Sequence, residues 1–149
     1  MSHTTRIQTV PIKDIIALRM AAQRMKANGI NCELAEHARP RMYFREQEVE
    51  CDYVLRLPDG KYDVGFERQK DGSYAPIFDE YADEVGRLLA VQACPFKGSS
   101  EERAMHAIGA LSREYARCAA VNAASASGYF LEEETVDTEG AYQLVFASY

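Results

Sequence analysis

No run of about 18 consecutive apolar residues occurs in the 149-residue chain, so no helix is expected to cross a membrane. The amino terminus carries no apolar segment of the secretory type, which argues against export and for a cytoplasmic setting. Positive charge is short: 17 Lys and Arg face 23 Asp and Glu, for a net charge of -6 and a pI near 5.1. A sequence-blind grip on a phosphate backbone needs a basic field, so nucleic-acid binding is not expected. Four cysteines, Cys32, Cys51, Cys94 and Cys118, include no C-x-x-C pair, so the spacing of a zinc knuckle is missing. With no export signal they read as reduced thiols, and Cys51 and Cys118, on apolar faces, as core residues. The chain has no glycine-rich phosphate loop, no G-x-S-x-G and no H-E-x-x-H. It also has no repeats and no low-complexity linker.

Apolar residues make up 47% of the chain, enough for a real core and too many for a disordered protein. At this length one domain is expected, spanning residues 1–149. A short β-prone stretch at residues 6–10 precedes Pro11. Apolar residues then recur with helical spacing from Ile12 to Met25, and Asn28-Gly29 closes the helix. Residues 30–36 read as a strand, and residues 42–49 as a further one. Next, Cys51, Tyr53, Leu55 and Leu57 alternate with Asp52, Val54 and Arg56, and Tyr62, Val64 and Phe66 with Asp63, Gly65 and Glu67. With turns at Asp59-Gly60 and Asp71-Gly72 and a last run over residues 74–79, this predicts a three-stranded antiparallel meander. Helix returns over residues 80–93. Ser99, three residues before Glu102, opens a long amphipathic helix in capping-box fashion. Two strands, residues 129–136 and 141–147, close the chain. The class is α+β: an antiparallel sheet with helices mainly on one face, an extended ferredoxin-like layout.

Several patches resemble a known family. They are Met1-Ser2-His3 with Ile7-Gln8-Thr9 and Ile12-Lys13-Asp14, then Tyr62-Asp63-Val64-Gly65-Phe66, Asp71-Gly72-Ser73-Tyr74, Gly128-Tyr129-Phe130 and Gln143-Leu144-Val145. In this order they are similar to the hypothetical chloroplast open reading frame 35 family, domain of unknown function 1257. That family tends to carry an Asp followed by aromatic residues after its central hairpin. Here Asp79 fits, and Tyr81 alone follows. Residues 39–50 and 82–101 look like expansions. The resemblance implies a small soluble protein of cyanobacteria, plastids, other bacteria or their phages, with no assigned reaction, cofactor or catalytic residue. Members encoded near AAA+ ATPases make an accessory or adaptor role the implied one.

The chemistry-bearing residues mostly have structural readings. Glu102 and His106 lie one turn apart, as a general base and its orienting carboxylate would, but no nucleophile stands beside them. Cys32 and His37 are badly spaced for a shared metal. Asp79, Glu80, Asp83 and Glu84 suit a divalent cation or, more simply, the positive end of a helix. Glu132, Glu133 and Glu134 read as an edge strand or as one meeting a basic partner. Arg39, Arg41 and Arg45 with Tyr43 and Phe44 read as a contact segment or a loop laid over the sheet. Gly65 inside a strand marks a bulge or a close approach. With Tyr62, Asp63 and Phe66, and with Asp79, it defines the candidate partner surface. No catalytic residue, metal site or cofactor is expected, and the balance is against an enzyme. The expected function is a protein-interaction or adaptor module, acting on a protein partner or on itself as a homo-oligomer. A small-ligand sensor and a phage-encoded inhibitor of a host system are the alternatives. An apolar sheet face without helices would need a partner or a second subunit to cover it.

Overall fold

The computed structural model describes residues 4–6, 11–89, 100–138 and 141–149. The meander forms as its alternation and turns require. Strands β3 (Cys51–Arg56), β4 (Val64–Arg68) and β5 (Tyr74–Asp79) run antiparallel, with Val54 opposite Gly65 and Gly65 opposite Ile77. At the second turn Gly72 takes φ 85°, a left-handed conformation open to glycine. Asp71 holds the same turn by accepting from the Ser73 N–H at 3.0 Å and from its hydroxyl at 2.6 Å. Two more strands complete the sheet. β2 (Glu33–Ala38) pairs with β3, and β1 (Thr4–Arg6) pairs with β5, giving the order β1-β5-β4-β3-β2, antiparallel throughout.

Helix α1 (Ile15–Ala27) begins later than the apolar spacing suggests. Asp14 is its N-cap and accepts from the Ala17 N–H at 3.0 Å. Ile12 instead exchanges two backbone hydrogen bonds with Tyr74, so it serves the sheet rather than the helix. The Tyr115 hydroxyl accepts from the N–H groups of Lys13 and Asp14 at 2.9 and 3.0 Å, tying this entry to the far end of the chain.

The helix expected over residues 80–93 is broken. A 3-10 turn at Tyr81–Asp83 leads into a short α2 (Glu84–Leu88), with Ala82 and Asp83 both left-handed. Residues 90–93 lie outside the described residues, as do Ser99 and the side chain of Glu102, on which the capping box rests. The long helix is interrupted at Ile108, giving α3 (Ser100–Ala107) and α4 (Gly109–Ala126). Gly109 at the break has the low helix propensity that makes interruption cheap. Finally β6 (Tyr129–Val136) and β7 (Tyr142–Ser148) pair as a hairpin, bulged between Leu131 and Glu133. Rather than extending the main sheet, they form a sheet of their own against α4.

Residues 42–49, expected as a strand, form a loop with one 3-10 turn at Arg45–Gln47. The reason lies in its backbone donors. The N–H groups of Arg41, Met42 and Tyr43 donate to the carboxylates of Asp63, Glu48 and Asp79, so these three donors are not available to a ladder.

This loop matters to the architecture. One face of the main sheet, with Leu55, Val64, Phe66 and Phe78, packs against Leu18, Ala21 and Met25 of α1 and Leu111 of α4. The opposite face carries Cys51, Val54 and Ile77, and Met42 and Ala38 cover it. The expectation that a partner would be needed to cover that face is therefore corrected, because the chain covers it with its own segment.

Candidate functional site

The five candidate surface residues are interior. Tyr62 and Phe66 join the helix-side core. Asp63, Gly65 and Asp79 are also buried. Their side chains are not on offer to a partner, and each has a structural task. A Cβ on Gly65 would stand 2.7 Å from Pro40 Cγ and 3.0 Å from Cys51 Sγ. Gly65 thus lets the covering loop lie directly on the sheet, the close approach that a glycine inside a strand signals.

Asp63 anchors the same loop. Its Oδ2 accepts from the Arg41 N–H and Nε, each at 2.9 Å, and from Arg56 Nη1 at 2.8 Å. Its Oδ1 accepts from Arg41 Nη2 at 2.9 Å and from the Leu57 N–H at 3.1 Å. Burial pushes the Asp63 carboxyl upward, but the hydrogen bonds from Arg41, Leu57 and Arg56 outweigh it and hold the group below its ordinary value. Arg41 also donates to the carbonyls of Gly60 and Leu57, so it is committed inward. Arg39 donates to the Glu48 carbonyl. The basic stretch is a clamp for the loop, in keeping with the reading of a loop laid over the sheet.

Asp79 does for exposed aromatics what Asp63 does for arginine. Its Oδ2 accepts from the Tyr43 N–H at 3.1 Å and its Oδ1 from the Tyr81 N–H at 2.9 Å. One buried carboxylate so joins the covering loop to the turn after β5 and brings their aromatic rings together. Tyr43 lies 4.9 Å from Phe44 and 5.6 Å from Tyr81, and Tyr62 stands beneath Tyr81 at 6.5 Å, ring centre to ring centre. Tyr43, Phe44 and Tyr81 are 53%, 40% and 47% exposed, a contiguous aromatic platform in water. Ala82 and Asp83, at φ 57° and 54°, present Tyr81 from a backbone that non-glycine residues seldom adopt. Such conformations cluster at functional positions. The sequence displayed both halves of the platform, Tyr43-Phe44 and Asp79 with Tyr81, but nothing in it joined them.

The other candidates disperse. Glu84 accepts from the Lys61 N–H, while Asp79 faces the aromatic loop, so the acidic group does not converge on one cation. Among the described residues no group of three or more His, Cys, Asp and Glu is placed to hold a metal ion. Cys32 is buried and donates to the Ala22 carbonyl, whereas His37 is exposed. Cys51 and Cys118 are buried, and burial pushes the Cys118 thiol up, away from reactivity. Cys94 lies outside the described residues. Glu134 finds a basic partner within its own chain, Arg117 of α4, at 2.7 Å. A cavity of about 330 Å³ between α1 and the start of β2 is lined by Arg19, Lys26, Cys32 and Glu33. Its charges are already taken up in the pairs Lys26–Glu33 and Arg19–Glu36. No helix among the described residues is long and apolar enough to cross a membrane.

Compared with known proteins, residues 28–145 match a family model described as protein of unknown function, DUF1257, a span that contains the whole platform. No curated protein and no solved structure matches the chain.

Proposed function

The chain belongs to the DUF1257 family, and we propose that within it this protein is a non-catalytic protein-interaction module that docks its partner on Tyr43, Phe44 and Tyr81. One observation carries this reading: three large aromatic side chains stand together in water, and one buried carboxylate holds the backbones of two of them, Tyr43 and Tyr81. Aromatic residues are the side chains that interfaces favour, because they offer much contact area at little entropic cost. Exposed aromatics scattered singly need no explanation, but a joined cluster does. The surface is supported from beneath by Asp79 and Tyr62, which are buried. An AAA+ ATPase, the partner class that the family resemblance implies, is the first candidate.

The test is recovery of tagged protein from its native host at low and moderate salt, read by mass spectrometry. Wild type is expected to bring down a protein partner in stoichiometric amount. A variant with Phe44→Ala and Tyr81→Ala is expected to bring down at least tenfold less, as truncating interface anchors does at about 1.4 kcal/mol per tenfold. Both residues point outward, so the far-ultraviolet spectrum of the variant should match wild type. Bait recovered alone, or a partner held equally by the variant, overturns the proposal.

A further inference from the structure

The chemistry of the platform's surroundings narrows what can dock there. The two segments that carry the rings, residues 39–49 and 80–84, also carry Glu46, Glu48, Glu80, Asp83 and Glu84, against Arg39, Arg41 and Arg45. Glu46 and Asp83 are exposed, each two residues along the chain from a platform ring. Even with Lys61, which adjoins the rim through Glu84, the local balance is negative. Arg41 does not change it, because it is consumed by Asp63. The platform is therefore a set of π faces inside an acidic rim.

Resting on the reading of this platform as an interface, we propose that its occupant is an arginine-bearing segment of the partner protein. Its guanidinium would lie on the Tyr43 and Tyr81 rings while the carboxylate rim balances its charge. Aromatic faces attract cations, and carboxylates around them add to the attraction. Arginine suits the site better than lysine. Its planar guanidinium stacks on rings, is weakly hydrated and donates in a fork that fits carboxylates. Among the described residues the fold already uses this contact, with Arg19 over Tyr53 and Arg68 over Tyr74, each 5.7 Å from the ring centre. The negative field also reaches the ring below. Burial raises the Tyr62 hydroxyl above its ordinary range, and the charges of Asp79 and Glu84 raise it further. The same field repels phosphate, which disfavours stacked single-stranded nucleic acid as the occupant.

The test uses fluorescence anisotropy with the full chain and four labelled peptides of one Gly/Ser backbone. They carry two arginines, two lysines, two citrullines or two glutamates, and a labelled oligothymidylate is the fifth probe. Citrulline keeps the plane and removes the charge. The arginine peptide is expected to bind saturably, about tenfold tighter than the citrulline peptide and tighter than the lysine peptide, and to weaken as salt rises. Tyr81→Ala, and Tyr43→Leu as a variant that keeps apolar bulk without a π face, should each weaken the arginine peptide by about three- to tenfold. Asp83→Asn should flatten the salt dependence. Equal binding of the arginine and citrulline peptides, indifference to both ring variants, or tighter binding of the oligothymidylate overturns the inference. If the native partner is lost on Phe44→Ala with Tyr81→Ala while no peptide prefers arginine, the interface stands and this ligand chemistry falls. If neither partner nor peptide binds, both fall.

Discussion

Asp63 has no exposed surface, and its two oxygens receive five hydrogen bonds: from Arg41 three times, and from Arg56 and Leu57 once each. Removing one member of a buried ion pair costs more than the pair itself is worth, because the remaining polar groups lose their partner. Asp63→Ala should therefore lower unfolding stability by about 3 kcal/mol, measured by urea denaturation. The sign of its pH dependence follows from the lowered carboxyl. The folded value lies below the unfolded value of about 3.9, so the contribution is complete above that unfolded value and is lost as pH falls through the folded one. Wild type should lose stability on acidification below about pH 4, and Asp63→Ala should show a flatter profile there. A variant as stable as wild type, with the same acid slope, would show that the carboxylate does not anchor the loop. Period-two alternation placed Asp63 and Gly65 on the face opposite Tyr62 and Phe66, and that much was legible. What covers the face was not legible, because Arg41 comes 22 residues earlier in the chain. Nothing in local pattern distinguishes a charge kept for a partner from one kept for a loop.

Among the elements, those whose pattern is local were legible and those decided by distant partners were not. The meander rests on alternation and on turns whose Asp and Gly act within a few residues. Residues 42–49 have strand-like composition, but side chains of Glu48 and Asp79 take the backbone donors of Met42 and Tyr43. The terminal hairpin shows the same dependence on distant groups. Its strands are mostly exposed, and a two-stranded sheet alone is marginal in water. It is held by side chains from two helices. Glu114 of α4 is nearly buried, receives Arg24 Nε of α1 at 2.8 Å and accepts from the Tyr142 hydroxyl of β7. Arg117 of α4 grips Glu134 of β6. Glu114→Ala removes the acceptor common to α1 and β7. Amides of β6 and β7 should then exchange about tenfold faster, equivalent to roughly 1.4 kcal/mol. Amides of β3 and β4 should keep their protection. Hydrogen-exchange mass spectrometry reads both, and uniform acceleration of all strands would show instead that the hairpin and the main sheet open as one unit.

At the scale of the molecule, the described core of the main sheet is covered by its own chain on both faces, by helices on one and by the loop of residues 39–49 on the other. That loop does two jobs at once. Its inward residues Pro40 and Met42 close the core against Gly65 and Ile77, and its outward residues Tyr43 and Phe44 build half the platform. Interior and interface thus share one backbone, with Met42 and Tyr43 adjacent and facing opposite ways. Lifting the loop should uncover an apolar sheet face and dismantle the platform together. Met42→Asp tests this coupling, since it sets a charge among Cys51, Val54 and Ile77, where an unpaired carboxylate is strongly disfavoured. The loop is expected to detach while the helix-side core persists. The exposed sheet face should then drive self-association, seen by light scattering as larger species than wild type forms at equal concentration. Partner recovery should fall in the same variant although no platform residue has been changed. A variant that scatters like wild type and keeps its partner would show that the platform stands without the sheet beneath it.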